Sequence, residues 1–84
     1  MELILLSPEK EYFKGSVKSV TVPGTSGEFE VLENHAPLIS SLSKGDVKIK
    51  SSDGKMIVFS IEDGFIEVIE DELAILAQNV KSVN

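Results

Sequence analysis

The one histidine of the chain, His35, stands in Glu33-Asn34-His35-Ala36-Pro37, and imidazole chemistry needs partners there. A catalytic triad requires a nucleophile beside the ring. The nearby Ser40, Ser41 and Ser43 fall in strand-like or turn contexts, without the Gly-x-Ser-x-Gly spacing of a nucleophile elbow. A zinc site requires three or four ligands, and one histidine with no cysteine does not assemble a set. On its own residues, His35 is a polar loop group that hydrogen-bonds nearby backbone.

The fourteen carboxylates raise the same question. Glu70-Asp71-Glu72 lacks the spacing and the glycine of a calcium loop, and reads as a solvated hairpin tip. The six glycines match neither a phosphate loop nor a dinucleotide fingerprint; their spacing is that of turns. No catalytic, cofactor or metal constellation emerges, so the chain reads as non-enzymatic. Lys55, in Asp53-Gly54-Lys55-Met56, sits near a hairpin tip of a small acidic β chain. Lipoyl and biotinyl carrier domains are similar, and carry their modified lysine on such a tip. The tip here has neither Met-Lys-Met nor Asp-Lys-Ala, which leaves a carrier domain modified at Lys55 as the alternative rather than the first reading.

The elements that position these residues are strands. Eighty-four residues make one domain, 1–84, with room for a single core. No cysteine is present, so packing alone must hold it. The net charge of −6, with eight scattered lysines as the only cations, argues against nucleic acid and against an anionic lipid surface; a partner at a membrane is a protein. No apolar run reaches the ~18 residues of a membrane helix. Leu3-Ile4-Leu5-Leu6 is too short for an export signal, so the expectation is a soluble, unexported chain with no direct membrane insertion.

Turn signals recur at the short intervals of an all-β sandwich. Strands are predicted over Glu2 to Leu6, Tyr12 to Val22 with a break at Gly15, Glu28 to Leu32, and Leu38 to Leu42. Further strands are predicted over Asp46 to Lys50, Met56 to Ile61, Phe65 to Ile69 and Leu73 to Ala77. Pro23-Gly24 predicts a type II turn, and Asp53-Gly54 a hairpin of the kind that favours type I′. Asp63-Gly64 predicts a turn into the next strand. Met56 to Ile61 is apolar enough to be buried on both sides. No window keeps a 3.6-residue period, which leaves only the last few residues open to helix.

The stretch Val22-Pro23-Gly24-Thr25-Ser26-Gly27-Glu28-Phe29-Glu30-Val31-Leu32-Glu33-Asn34-His35-Ala36-Pro37-Leu38-Ile39 resembles the pattern G-x-x-G-x-[FL]-G-[IV]-[LY]-x-x-H-A-P-L of ATP synthase epsilon subunits. Leu42-Ser43-Lys44-Gly45-Asp46-Val47, Ile61-Glu62-Asp63-Gly64-Phe65-Ile66-Glu67-Val68 and Leu73-Ala74-Ile75-Leu76-Ala77 resemble three further blocks of that family, in order and with compatible spacing. Glu30 replaces a usual Gly, which requires ordinary β backbone there; Asp63 replaces the first of two Gly. The family normally continues as a helical hairpin that can inhibit hydrolysis, whereas this chain stops at Asn84. The expectation is a subunit that couples but does not inhibit by that route.

The resemblance implies a two-layer sandwich of two five-stranded sheets, about ten short strands in all, without a C-terminal helical domain. It implies a non-catalytic central-stalk subunit of a proton- or sodium-driven F-type synthase, one copy per complex, with no cofactor. Its partners would be the gamma subunit and the membrane rotor ring, on the cytoplasmic side of a bacterial inner membrane. His35 matches the family histidine at the gamma interface, with Ala36, Pro37 and Leu38 shaping the same loop. Glu28, beside Phe29, matches the family acid near the polar loops of the ring.

Overall fold

The computed structural model describes residues 1–83; Asn84, the last residue of the expected domain, lies outside the described residues. The strands are β1 (Glu2–Leu6), β2 (Glu11–Gly24), β3 (Gly27–Leu32), β4 (Leu38–Leu42), β5 (Gly45–Ser51), β6 (Met56–Ile61), β7 (Asp63–Ile69), β8 (Glu72–Gln78) and β9 (Lys81–Ser82). Each of the eight predicted strands is present. No helix occurs among the described residues, and β9 forms in the tail, which the sequence pattern leaves open to helix. Its two residues pair with Phe59 and Ser60 of β6, a long-range contact that no local period announces.

β2 is the seam of the fold. Its first half pairs with β1, from Glu2↔Ser16 to Leu6↔Glu11. Its second half pairs with β3 on one side and β5 on the other. The register shifts between Val17 and Ser19, where the strand passes from one layer to the other. Gly15, predicted as a break, is paired with Leu3 inside the strand, so the bend lies beyond it. One layer is β3-β2-β5-β6-β9 and the other is β2-β1-β8-β7-β4. Counting β2 in both gives the two five-stranded sheets of the sandwich. A single bridge, Gly24↔Leu42, ties the layers at the far end of β2.

Period-two alternation sends one side of each strand into the core. Leu3 and Leu5 of β1, Val47 and Ile49 of β5, and Leu73 and Ile75 of β8 are all at most 2% exposed. Met56 to Ile61 departs from expectation: Phe59 and Ile61 are buried, but Met56 is 51% exposed. The strand therefore has one buried face and one outer face.

The turns are where sequence signals and structure part. The chain continues as strand through Pro23-Gly24 and turns at Thr25-Ser26, with Gly24 paired to Gly27. The positive φ (125°) is at Gly27. Gly24 is needed for space instead, since a Cβ there would lie 2.7 Å from the Gly27 carbonyl oxygen and 2.8 Å from the Phe29 ring. Asp53-Gly54 does form a hairpin tip, but in a longer loop in which only Gly54 (φ 89°) is left-handed, so it is not type I′. The type I′ geometry belongs to Glu70-Asp71: both have positive φ (46° and 65°), between the paired Ile69 and Glu72. Asp63-Gly64 opens β7 rather than forming a turn, and neither residue has positive φ. Glu30 lies in regular β3 backbone opposite Thr21, as its side chain requires.

Candidate protein-interaction surfaces

β3 carries the two expected groups of site residues at its opposite ends. At the far end the chain leaves the strand through a turn closed by the His35 N–H donating to the Leu32 carbonyl (3.2 Å), with Asn34 left-handed at φ 64°. His35 Nδ1 lies 2.7 Å from the carbonyl oxygen of Ala36. A carbonyl only accepts, so this contact places a proton on Nδ1. His35, Ala36 and Pro37 are exposed together. Leu38 is not with them: it is half-buried, pairs with Val68 and packs on the core. The outward position beside it belongs to Ile39, 71% exposed.

The Asn34 N–H donates to Oδ1 of Asp71 (3.3 Å), on the β7–β8 hairpin. The Asp71 carbonyl accepts the Glu2 N–H (3.1 Å), and its Oδ2 lies 3.6 Å from the Met1 amino group. The expected solvated tip of Glu70-Asp71-Glu72 is thus a hairpin tip, but Asp71 is bonded within the fold.

Glu28 and Phe29 lie at the other end of β3, about 13 Å of strand away from Leu32 at ~3.3 Å per residue. Glu28 is exposed and its Oε2 lies 3.5 Å from Nζ of Lys48 on β5, also exposed. Such a pair contributes at most ~1 kcal/mol and leaves Glu28 open to exchange partners. Phe29 is half-buried against the core and fills the space that Gly24 leaves open.

A third surface was not foreseen. Pairing aligns Ser41, Phe65, Leu76 and Leu6 across the outer face of β4, β7, β8 and β1, with Ile39, Glu67, Ala74 and Ile4 in the adjacent row. Ile39 is 71%, Phe65 46% and Leu76 37% exposed. Contiguous exposed apolar surface of this kind marks contact with another molecule. The sequence carried a sign of it: Phe65-Ile66 and Ile75-Leu76 are apolar at consecutive positions, so both faces of β7 and β8 had to be apolar. The hollow beside Pro8, Phe65 and Leu76 holds only ≈ 110 Å³, below the roughly 300 Å³ where small-molecule sites begin. A protein surface fits this face better than a small ligand.

Lys55 sits at the β5–β6 tip, with its side chain 79% exposed and 3.9 Å from Oδ2 of Asp53. The Asp53 carboxyl is held below its ordinary range, first by the Ser51 hydroxyl, then by the Lys55 N–H. A depressed carboxyl stabilises the tip above the ordinary carboxylate pKa of about 3.9, and that contribution is lost as pH falls through the lowered value. The protection of the Lys55 amide, its exchange rate referred to the intrinsic rate at each pH, is therefore expected to fall on acidification, and an Asp53→Asn variant to lose that pH dependence. No group of three or more His, Cys, Asp or Glu side chains able to hold a metal ion occurs among the described residues. No helix among them is long and apolar enough to cross a membrane.

Residues 1–83 match the family described as "ATP synthase, Delta/Epsilon chain, beta-sandwich domain". The chain belongs to this family. It is 39% identical over 79 residues to the ATP synthase epsilon chain of Leptospira interrogans, covering 94% of this chain and 61% of that relative. It therefore spans about three fifths of the Leptospira protein. Against the epsilon chain of Chlorobium limicola it is 38% identical over 79 residues, covering 94% of this chain and 90% of the other. Against that of Caulobacter vibrioides the identity is 45% over 76 residues, with 89% and 86% covered. Among solved structures, the fold is shared with a chain of the Euglena gracilis mitochondrial ATP synthase (TM-score 0.89, 23% identity, 95% of this chain and 51% of that one). It is also shared with a chain of the central stalk and c-ring of the Tetrahymena thermophila mitochondrial ATP synthase (TM-score 0.78, 20% identity, 96% and 65%). At those identities the likeness is one of fold. Family membership and the incomplete motif both leave the carrier alternative at Lys55 without support.

Proposed function

We propose that this epsilon-family domain works as a non-catalytic central-stalk part of an F-type ATP synthase, holding the gamma subunit to the membrane rotor ring and so coupling proton or sodium flow to ATP synthesis. One copy acts per complex, at the cytoplasmic face of a bacterial inner membrane, without a cofactor. The observation that carries this reading is the separation of two exposed groups along one rigid strand. The His35-Ala36-Pro37 turn stands beyond one end of β3, and Glu28, beside the half-buried Phe29, at the other. A domain that must hold two bodies at once needs two such ends and a stiff core between them. The names of the relatives support the assembly, as do the titles of the two structural neighbours, both of which include a c-ring.

In this arrangement His35, Ala36 and Pro37 meet gamma, Leu38 anchors their loop to the core, and the Ile39–Phe65–Leu76 face extends the contact. Glu28 meets polar or basic groups of the ring loops, exchanging its bond to Lys48 for one across the interface. A His35→Ala variant is expected to weaken gamma binding about tenfold, the lower part of the ~1–4 kcal/mol range of interface anchors. Glu28→Ala is expected to weaken ring attachment less, and chiefly to alter its salt dependence. Affinity purification from gently solubilised membranes, with titrated salt, checks both. Equal losses for the two variants, or none for His35→Ala, would remove the assignment.

A further inference from the structure

The His35 turn is exposed and short, and two left-handed residues face each other where it meets the β7–β8 hairpin: Asn34 (φ 64°) and Asp71 (φ 65°). The Asn34 N–H points away from its own turn and donates to the Asp71 carboxylate. Asp71 is itself fixed by the type I′ turn of Glu70-Asp71 and by its carbonyl, which accepts the Glu2 N–H from the neighbouring β1. The carboxylate is therefore presented by a held backbone to a turn that has little packing of its own.

We infer that Asp71 is a positioning residue for the His35 turn: its carboxylate fixes Asn34 in the left-handed conformation and so presets the direction of His35, Ala36 and Pro37 for the gamma subunit. This rests on the reading that the His35 turn docks on gamma. A binding loop held in its bound shape escapes part of the ordering cost of association. The device needs an acceptor at position 71, and it needs a residue there that tolerates positive φ. Asp, Asn and Gly satisfy the second condition; only Asp and Asn satisfy the first.

That difference supplies the test. Asp71→Gly keeps, and indeed favours, the hairpin turn, because glycine adopts positive φ without strain. It removes the side-chain acceptor, together with the ion pair to the Met1 amino group, which Asp71→Asn also loses while keeping the acceptor. The full chain carrying Asp71→Gly is expected to melt close to the parent, to exchange its Asn34 amide proton several-fold faster, and to bind purified gamma subunit about five- to tenfold more weakly. Asp71→Asn is expected to restore both the exchange rate and the affinity to within about twofold. Unchanged gamma affinity in Asp71→Gly, or an Asp71→Asn chain as weak as Asp71→Gly, overturns the inference. Failure of the docking reading itself shows separately. A His35→Ala chain that binds gamma as tightly as the parent removes that reading, whatever Asp71→Gly does to Asn34 exchange.

Discussion

A Gly64→Val chain is expected to melt far below the parent. A Cβ at Gly64 would run into the carbonyl oxygen of Leu76 and stand 2.9 Å from the Ala77 Cα and 3.1 Å from its Cβ. The obstacle is mostly backbone, and it lies inside the β7–β8 ladder that runs from Asp63↔Gln78 to Ile69↔Glu72. Neither strand can yield without opening pairs on both sides, since β7 also carries β4 and β8 also carries β1. Overpacking of this kind costs ~1–3 kcal/mol or more, and the total stability of a small domain is only about 5–10 kcal/mol. At roughly 4–8 °C per kcal/mol for a domain of this size, a melting temperature lower by ~15 °C or more is expected in a circular-dichroism melt. Asp63→Gly is the contrasting variant. Asp63 is exposed and free of positive φ, so restoring the usual family glycine is expected to change the melt by no more than a few degrees, in the downward direction. A Gly64→Val chain that melts with the parent would show that the two strands are not held at this spacing.

The second large effect concerns binding. Ile39→Ser combined with Phe65→Ser is expected to weaken association with gamma by at least ~30-fold, equivalent to ~2 kcal/mol, while leaving the melt nearly unchanged. The two side chains are 71% and 46% exposed, so their removal takes little from the core. In a complex they would form the apolar centre of a contact whose polar edge is the His35 turn. Calorimetric titration of the variant chain with gamma, set beside its thermal melt, separates the two possibilities. Parent-like affinity would mean that this face is covered by something other than gamma; a collapsed melt would mean that the residues support the fold after all.

Eight strands were legible because alternation is a local signal: Val47 and Ile49 point inward whatever lies across from them. What was illegible is what depends on a distant partner. β9 exists only by pairing with β6, and the bend in β2 lies at Val17–Ser19 because β5 shifts its register there, not at Gly15. Glycine signals proved ambiguous because a glycine answers to two needs. Gly27 and Gly54 supply positive φ, whereas Gly24 and Gly64 supply room for backbone to approach. Reading all four as turns misplaced two. The type I′ turn was hidden for the opposite reason, since Glu70-Asp71 achieves it without glycine.

The interaction surfaces divide in the same way. His35 and Glu28 carry no sign of an interface in their own residues, and the family pattern alone points to one. The apolar outer face of β4, β7, β8 and β1 was present in the composition of its strands, but its sidedness required the register. Asp71 was visible only as one acid in a run of three. Its bond to Asn34 spans 37 positions of sequence, and no pattern along the chain predicts that distance.

The pairing of β3 with β2 has a mechanical consequence. The six bridged pairs run without a slip from Ser19↔Leu32 to Gly24↔Gly27. A load applied between the His35 turn and Glu28 runs along the β3 backbone itself, and whatever part of it passes to β2 reaches these pairs together, in shear. A load perpendicular to the strands would instead open them one after another, like a zip. Two chemically modest patches placed at the ends of one strand thus make that strand a tie-rod, with the ladder to β2 keeping it straight.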